Sequence, residues 1–276
     1  MLAPKITDAD FKRLSEFIYS NYGIKMPPAK RVMLEGRLRA RLRVNNINTF
    51  KEYCDFVFSE QGASTELIHM IDTVSTNKTD FYREPAHFDF LSNHILSKYS
   101  DSGKINDLKI WCAATSTGEE PYTIAFTLEE FKNKDRNIDY SIYCTDISTR
   151  VLEKAVLGIY GLDRVVNIPL VLKSKYFLKS RNPLNKTCRV IPEIRKKLIF
   201  NRLNLMDEYY QTPFMFDIIF CRNVLIYFDK PTQESVINKL CQKLNKNGYL
   251  ILGHSESITG INAPLQTVKT TIYQKI

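Results

Sequence analysis

The sequence predicts an α/β protein: a doubly wound, mostly parallel sheet, preceded by an all-helical domain and interrupted by a small antiparallel β insertion. Three observations predict it. Residues 1–75 show helical apolar spacing and no strand pattern. From about residue 105, apolar strands alternate with helical patterns, as a parallel sheet covered on both faces requires. Between about 158 and 200 that alternation breaks into short strand-like pieces and turn residues, and the insertion is expected at about 165–200.

In chain order, "DADFKRLSEFIYSNYG" is expected to open a helix on an aspartate cap, with Phe11, Leu14, Ile18 and Tyr22 on one face. "PPAKRVMLEGRLRARLRVNN", "TFKEYCDFVFSE" and "TELIHMIDTVS" continue the helical domain, with a break at Asn46 to Thr49. Residues 76–104 read as a linker. The strands are expected at Lys109–Ala114, Tyr140–Thr145, Lys197–Leu203, Asp217–Cys221, Tyr249–Gly253 and Thr270–Gln274. Helices are expected at 119–133, 148–157 and 231–245, and Asn247-Gly248 marks a turn before the fifth strand.

Composition narrows the class. The chain has 276 residues and a formal net charge of +9, which favours an acidic partner. No run of about 18 uncharged apolar residues predicts a membrane span. The six cysteines show neither CxxC pairing nor zinc spacing, so no metal is expected and a reducing cytoplasm fits best.

The chemistry concentrates at strand ends. "CAATSTGEEPYT" lies between a strand and a helix, where doubly wound sheets bind ligands. It has one glycine, Gly118, and the acidic pair Glu119-Glu120, so it suits a cationic nucleoside better than a pyrophosphate. Thr117 to Glu120 also matches a capping box. Asp146, at the end of the second strand, can accept both hydroxyls of a ribose or cap the helix near Ser148. Asn204 follows the third strand; Arg222, Asn223 and Tyr227 follow the fourth.

Together, "TNKTDFYREPAHF", "IWCAATSTGEEPYTIA", "YCTDIS", "FNRLNL", "FDIIFCRNVLIYFD" and "GYLILGHSES" resemble the chemotaxis receptor methyltransferases, the CheR family. The N-terminal helices look like that family's N-terminal domain, so the resemblance covers nearly the whole chain. It implies a Rossmann-like class I methyltransferase domain over 105–276 that uses S-adenosylmethionine and releases S-adenosylhomocysteine. It implies that Asn77, Thr79 and Arg83 meet the methionine end of the cofactor, that Glu120 contacts it and that Asp146 holds its ribose. Asn204, Leu205, Asn223 and Val224 would frame the rest, with Arg83 and Tyr227 at the transferred methyl. Asp80 stands where the family is commonly neutral.

The implied reaction esterifies receptor glutamates. A carboxylate of pKa about 4.3 is ionised at neutral pH, so no strong base is needed. The implied partner is the cytoplasmic helical region of chemoreceptors, with recruitment of a cytoplasmic enzyme to membrane receptor arrays and no membrane insertion. The β insertion corresponds to the subdomain that grips a receptor C-terminal tether in some members, although it has no glycine-rich turn of the kind expected in tether binders. From Lys30 to Arg43 there are six basic residues and one acid, and Arg37, Arg39, Arg41 and Arg43 are expected to dock the receptor. A nucleic-acid methyltransferase would show Asn/Asp-Pro-Pro-Tyr after the fourth strand, which is missing here. A cofactor-binding module without turnover is the other alternative.

Overall fold

The computed structural model describes residues 4–101, 107–133, 138–182 and 184–276. The end of the expected linker, 102–104, and the expected domain start at 105 lie outside the described residues.

The helical domain begins with α1 (Asp8–Tyr22), whose cap is Thr7 rather than an aspartate. The Thr7 hydroxyl accepts the Asp10 N–H at 3.1 Å. This frees Asp8 and Asp10 for the first turn, where negative charge complements the helix dipole. Gly23 ends α1 at φ 69°. Then come α2 (Arg31–Val44), α3 (Phe50–Val57) and α4 (Glu60–Val74). Thr49 and Ser59 cap the last two, so α4 starts five residues before the apolar pattern that announces it. Leu34, Leu38 and Leu42 are buried against Leu14, Ile18, Tyr53 and Met70 in a separate small core.

The expected linker is a linker only as far as Pro85. α5 (Ala86–Phe90), a π-helical stretch (Leu91–Leu96) and α6 (Ser97–Asp101) follow without a gap. Phe88, Leu91, Ile95 and Leu96 join the core of the sheet domain. The polar start of the segment hides this apolar stripe, which spans too few turns to stand out.

The sheet domain runs β1 (Leu108–Cys112), α7 (Glu119–Lys132), β2 (Tyr140–Asp146) and α8 (Thr149–Leu157). Next are β3 (Ile159–Gly161), α9 (Leu170–Tyr176), β4 (Phe177–Lys179), β5 (Thr187–Val190) and α10 (Pro192–Arg195). The chain finishes with β6 (Leu198–Arg202), β7 (Phe216–Cys221), α11 (Lys230–Lys243), β8 (Leu244–Leu252), β9 (Leu265–Lys269) and β10 (Ile272–Lys275). Seven strands form one sheet in the order β6-β2-β1-β7-β8-β10-β9. The pairs from β6 to β8 are parallel; β10 is antiparallel to β8 and β9. Alternate residues serve opposite cores. Ile110, Ile142 and Ile218 point to one side; Trp111, Tyr143 and Ile219 point to the other.

Two sequence expectations change here, and one strand was not expected at all. The antiparallel insertion forms, as β3-β5-β4, but it begins at Ile159 and its strands end at Val190, ahead of the expected range. Asn247-Gly248 is not a turn between elements. β8 passes through it, with Asn247 at φ 64° and a register shift against β7. The local turn residues therefore make a bulge, because the flanking residues still pair with β7. The edge strand β9 has four exposed residues of five and carries little apolar signal.

Candidate active site

Chain order reverses between β1 and β7, and the carboxyl ends of both strands open there into one cleft. Asn77, Thr79, Arg83, Glu120, Asp146, Asn204, Leu205, Asn223, Val224 and Tyr227 all line it. The seven residues from Glu120 to Tyr227 meet because four parallel strands end on the same edge, and the segment 77–83 brings Asn77, Thr79 and Arg83 to the same cleft. The helical domain supplies a further wall through Tyr22, Ile24, Met26, Lys30 and Met33.

Asp146 ends β2 and is buried. Its carboxylate accepts the Ser116 N–H at 2.8 Å and the Ser148 N–H at 3.0 Å. Burial raises its pKa, and those N–H donors offset part of the rise. The cap of α8 is the Ser148 hydroxyl, so Asp146 is left to face the cleft. An acceptor held this way fits a ribose diol. In the same cleft, Leu203, Leu205, Val224 and Phe228 add apolar lining suited to a flat base.

Glu120 does not close the expected capping box. Gly118, at φ 99°, takes the N-cap position of α7, and no side chain caps that helix. The Thr117 hydroxyl donates instead to Glu119 at 2.5 Å. Glu120 accepts from Arg222 at 2.5 Å and from the Cys112 thiol at 3.2 Å. A buried guanidinium is the stronger partner, and it draws the carboxylate across the cleft. Further lone pairs on Glu120 remain to meet a cofactor ammonium.

Arg222 organises the floor. Its side chain has no exposed surface. Besides Glu120 it donates to Glu84 at 2.9 Å and to the Arg83 carbonyl at 2.6 Å. Glu84 also accepts from the Asn223 side chain at 3.1 Å and the His254 N–H at 3.1 Å. Burial would raise the pKa of Glu84, but Arg222 and these other donors outweigh it and hold the group at about 2. Glu256 secures the next turn by accepting the Asn223, Leu225 and Gly253 N–H groups at 2.8, 2.7 and 2.7 Å. Four of the seven non-glycine residues with left-handed backbone among the described residues lie here: Tyr82, Glu84, Ser116 and Asn223. Such strain persists where surrounding contacts over-determine it. Glu84, His87 and His254 bring ligand-type atoms within 4.8 Å of one another. The Glu84 oxygen they would share already faces the Arg222 guanidinium, which opposes a dication, so the cluster reads as polar support for the loop.

Not every expected residue offers its side chain. Asn204 donates to the Asn21 carbonyl at 2.8 Å and accepts the Met206 N–H at 3.0 Å, so its amide ties the cleft rim to α1. Arg83 lines the cleft while donating to the Lys78 carbonyl at 3.0 Å. Among the described residues, the arginines expected to dock a receptor have partners within the helical domain, except one. Arg37 donates to the Val74 carbonyl at 2.7 Å, and Arg41 makes a two-bond pair with buried Glu66 at 2.8 and 2.6 Å. Arg39 pairs with Glu35. Arg43 is exposed. The helical domain as a whole is nearly neutral, with eleven basic and nine acidic residues over 1–75. Residues 150–202, around the β insertion, hold thirteen basic and three acidic residues, which accounts for the whole excess charge.

Glu84, Glu256 and Ser116 escaped the sequence reading because each acts through long-range contacts that only the fold creates. Arg222 was visible as a charged residue ending an apolar strand.

Comparison with known proteins identifies the family. The family model described as "CheR methyltransferase, all-alpha domain" matches residues 9–75, and "CheR methyltransferase, SAM binding domain" matches 77–274. A chemotaxis protein methyltransferase of Borreliella burgdorferi is 42% identical over 98% of this chain and 95% of its own length. Its counterpart in Escherichia coli is 36% identical over 97% of this chain and 91% of its own. Chemotaxis protein methyltransferase 2 of Pseudomonas aeruginosa is 35% identical over 97% and 93%.

Proposed function

The chain belongs to the CheR methyltransferase family, and on that premise we propose that it transfers a methyl group from S-adenosylmethionine to glutamate side chains of chemoreceptors, forming methyl esters. The observation that carries this reading is the single cleft at the β1/β7 switch, which gathers all ten residues named for cofactor and methyl group.

The cleft's chemistry fits the cofactor. Asp146 would hold the ribose, Glu120 the ammonium, and Leu205 and Val224 the base. The bound cofactor supplies an electrophilic methyl group. The protein's own task is positional, since the receptor carboxylate is already ionised. Arg83 and Tyr227, on opposite chain segments lining the cleft, orient that carboxylate in line with the methyl. The walls from the helical domain exclude water, which would compete for the same position. No proton has to move.

The receptor's acidic helical region is the partner, drawing the enzyme to membrane arrays. The excess charge at residues 150–202 supports the β insertion and its neighbouring helices as the main contact. Exposed Leu178 and Leu184 on the β4–β5 hairpin add apolar surface to it, and a receptor tether would use the same face. None of the described helices is long and apolar enough to cross a membrane.

The test is transfer of radiolabelled methyl from S-adenosylmethionine to receptor-containing membranes, with DNA and RNA as competing acceptors. Label should enter receptor and leave as methanol in base. Label in nucleic acid, or base-stable label, overturns the reading. Arg83→Ala and Tyr227→Phe should each lower kcat at least tenfold while the protein stays folded.

A further inference from the structure

The segment 77–83 forms one edge of the cleft and has no helix or strand of its own. Its shape is therefore set from outside. Three successive carbonyls each accept from a side chain. The Ser116 hydroxyl donates to Asn77 O at 2.9 Å, and the Arg83 guanidinium donates to Lys78 O at 3.0 Å. The third donor is Arg164, which meets Thr79 O.

Arg164 comes from the β insertion, in the connection between β3 and α9. The same guanidinium pairs with Glu119 at 2.8 Å and with Asp80 at 3.1 Å. Glu119 is buried at 1% exposure, and its remaining partner is the Thr117 hydroxyl. The insertion reinforces the contact through Tyr160, whose hydroxyl donates to the Thr117 carbonyl at 2.7 Å. Two oddities of the sequence thus share one explanation. Asp80, the acid within an otherwise uncharged or basic stretch 76–83, and Glu119, the other half of the acidic pair, are the two carboxylates that receive Arg164.

We propose that Arg164 is a positioning residue for the cofactor: it clamps the 79–80 turn and the Glu119 end of the β1–α7 loop together, so that Thr79 and Glu120 face the cleft in fixed register. It touches neither cofactor nor acceptor and acts through Thr79, Asp80 and Glu119. The clamp also joins the surface that carries the chain's excess positive charge to the edge of the methyl-transfer site. The inference rests on the cofactor reading above and deepens it.

The experiment titrates S-adenosylhomocysteine into the full chain by calorimetry, with folding checked by circular dichroism and thermal melting. Native protein is measured first; if it fails to bind, the cofactor reading itself falls. If it binds, Arg164→Ala should weaken binding about tenfold, or ~1.4 kcal/mol. Arg164→Lys, which restores one charge but not the fork, should fall between. KM for S-adenosylmethionine should rise more than kcat falls. Backbone amides of 77–83 should exchange faster with solvent, while those of β1 and β7 stay protected. A purely structural residue would lower the melting temperature without moving the KM-to-kcat split or that local exchange. Should Arg164→Ala fail to fold, Asp80→Asn, which removes one arm, should weaken binding about threefold. In whichever variant folds, affinity within error of native overturns the proposal, as does unchanged exchange in 77–83.

Discussion

At the scale of single residues, the site works by burying charge in matched sets. Asp146 sits at a strand end with two N–H donors and a pKa raised by burial. A ligand diol would donate to the ionised form and favour it. Affinity for S-adenosylhomocysteine should therefore decline as pH falls through that raised pKa, and calorimetry across acidic pH measures it. Asp146→Asn should abolish the pH dependence and weaken binding by ~2–3 kcal/mol, the value of hydrogen bonds to a charged acceptor. Glu84 behaves in the opposite sense. Its folded pKa is about 2, below the ordinary 4.5. Its contribution to stability is present above pH 4.5 and is lost as pH drops toward 2. Denaturant melts of Glu84→Gln should show ~3 kcal/mol less stability at pH 7, because Arg222 is left short of a partner, and a flatter acid limb.

At the scale of elements, strand ends and the loops they launch decide the geometry. The β1–α7 loop depends on Gly118 at φ 99°, where an added Cβ would meet the Tyr160 hydroxyl at 2.7 Å and the Ala155 backbone at 3.1 Å. Gly118→Ala should cost ~2 kcal/mol by thermal melting and weaken cofactor binding, since Ser116 and Glu120 flank it. Much of this element was legible in the sequence. Apolar residues mark β1, β2 and β7, and polar residues end them, so Glu120, Asp146, Asn204, Asn223 and Tyr227 stood out from pattern alone; Asn77, Thr79, Arg83, Leu205 and Val224 were named only through the family resemblance. Other parts were not. The capping box at Thr117 and Glu120 is a short-range signal, and it yields to Arg222, which lies 102 positions away. The arginines of α2 spell a basic face, yet Arg37 turns to the C-terminal end of α4 and Arg41 to its middle, because Val74 O and Glu66 need partners. Periodicity shows which face is apolar; it does not show which charges are already spent within the molecule.

At the scale of the whole molecule, charge and architecture are divided between domains. The net charge of +9 resides in residues 150–202 rather than in the helical domain. Receptor methylation should therefore fall steeply with added salt while S-adenosylhomocysteine affinity stays nearly constant. Neutralising Lys179, Arg181 and Lys186, all exposed on the β4–β5 hairpin, should flatten the salt dependence more than Arg43→Ala does; steady-state rates across a salt series give both slopes. The helical domain, for its part, contributes cleft residues from Tyr22 to Met33 and is bolted on by Asn21, Gly23 and Asp72. At Gly23 an added Cβ would lie 2.6 Å from the Phe228 ring, so the two domains meet with no room for a side chain. The seam has a meaning for descent as well as for chemistry. A recombination event that exchanged the helical domain between distant relatives would swap one wall of the pocket and leave every strand-end residue untouched. Such hybrids should lose cofactor affinity in proportion to mismatch along the seam, so the two halves of the gene are bound to be inherited, and to drift, as a pair.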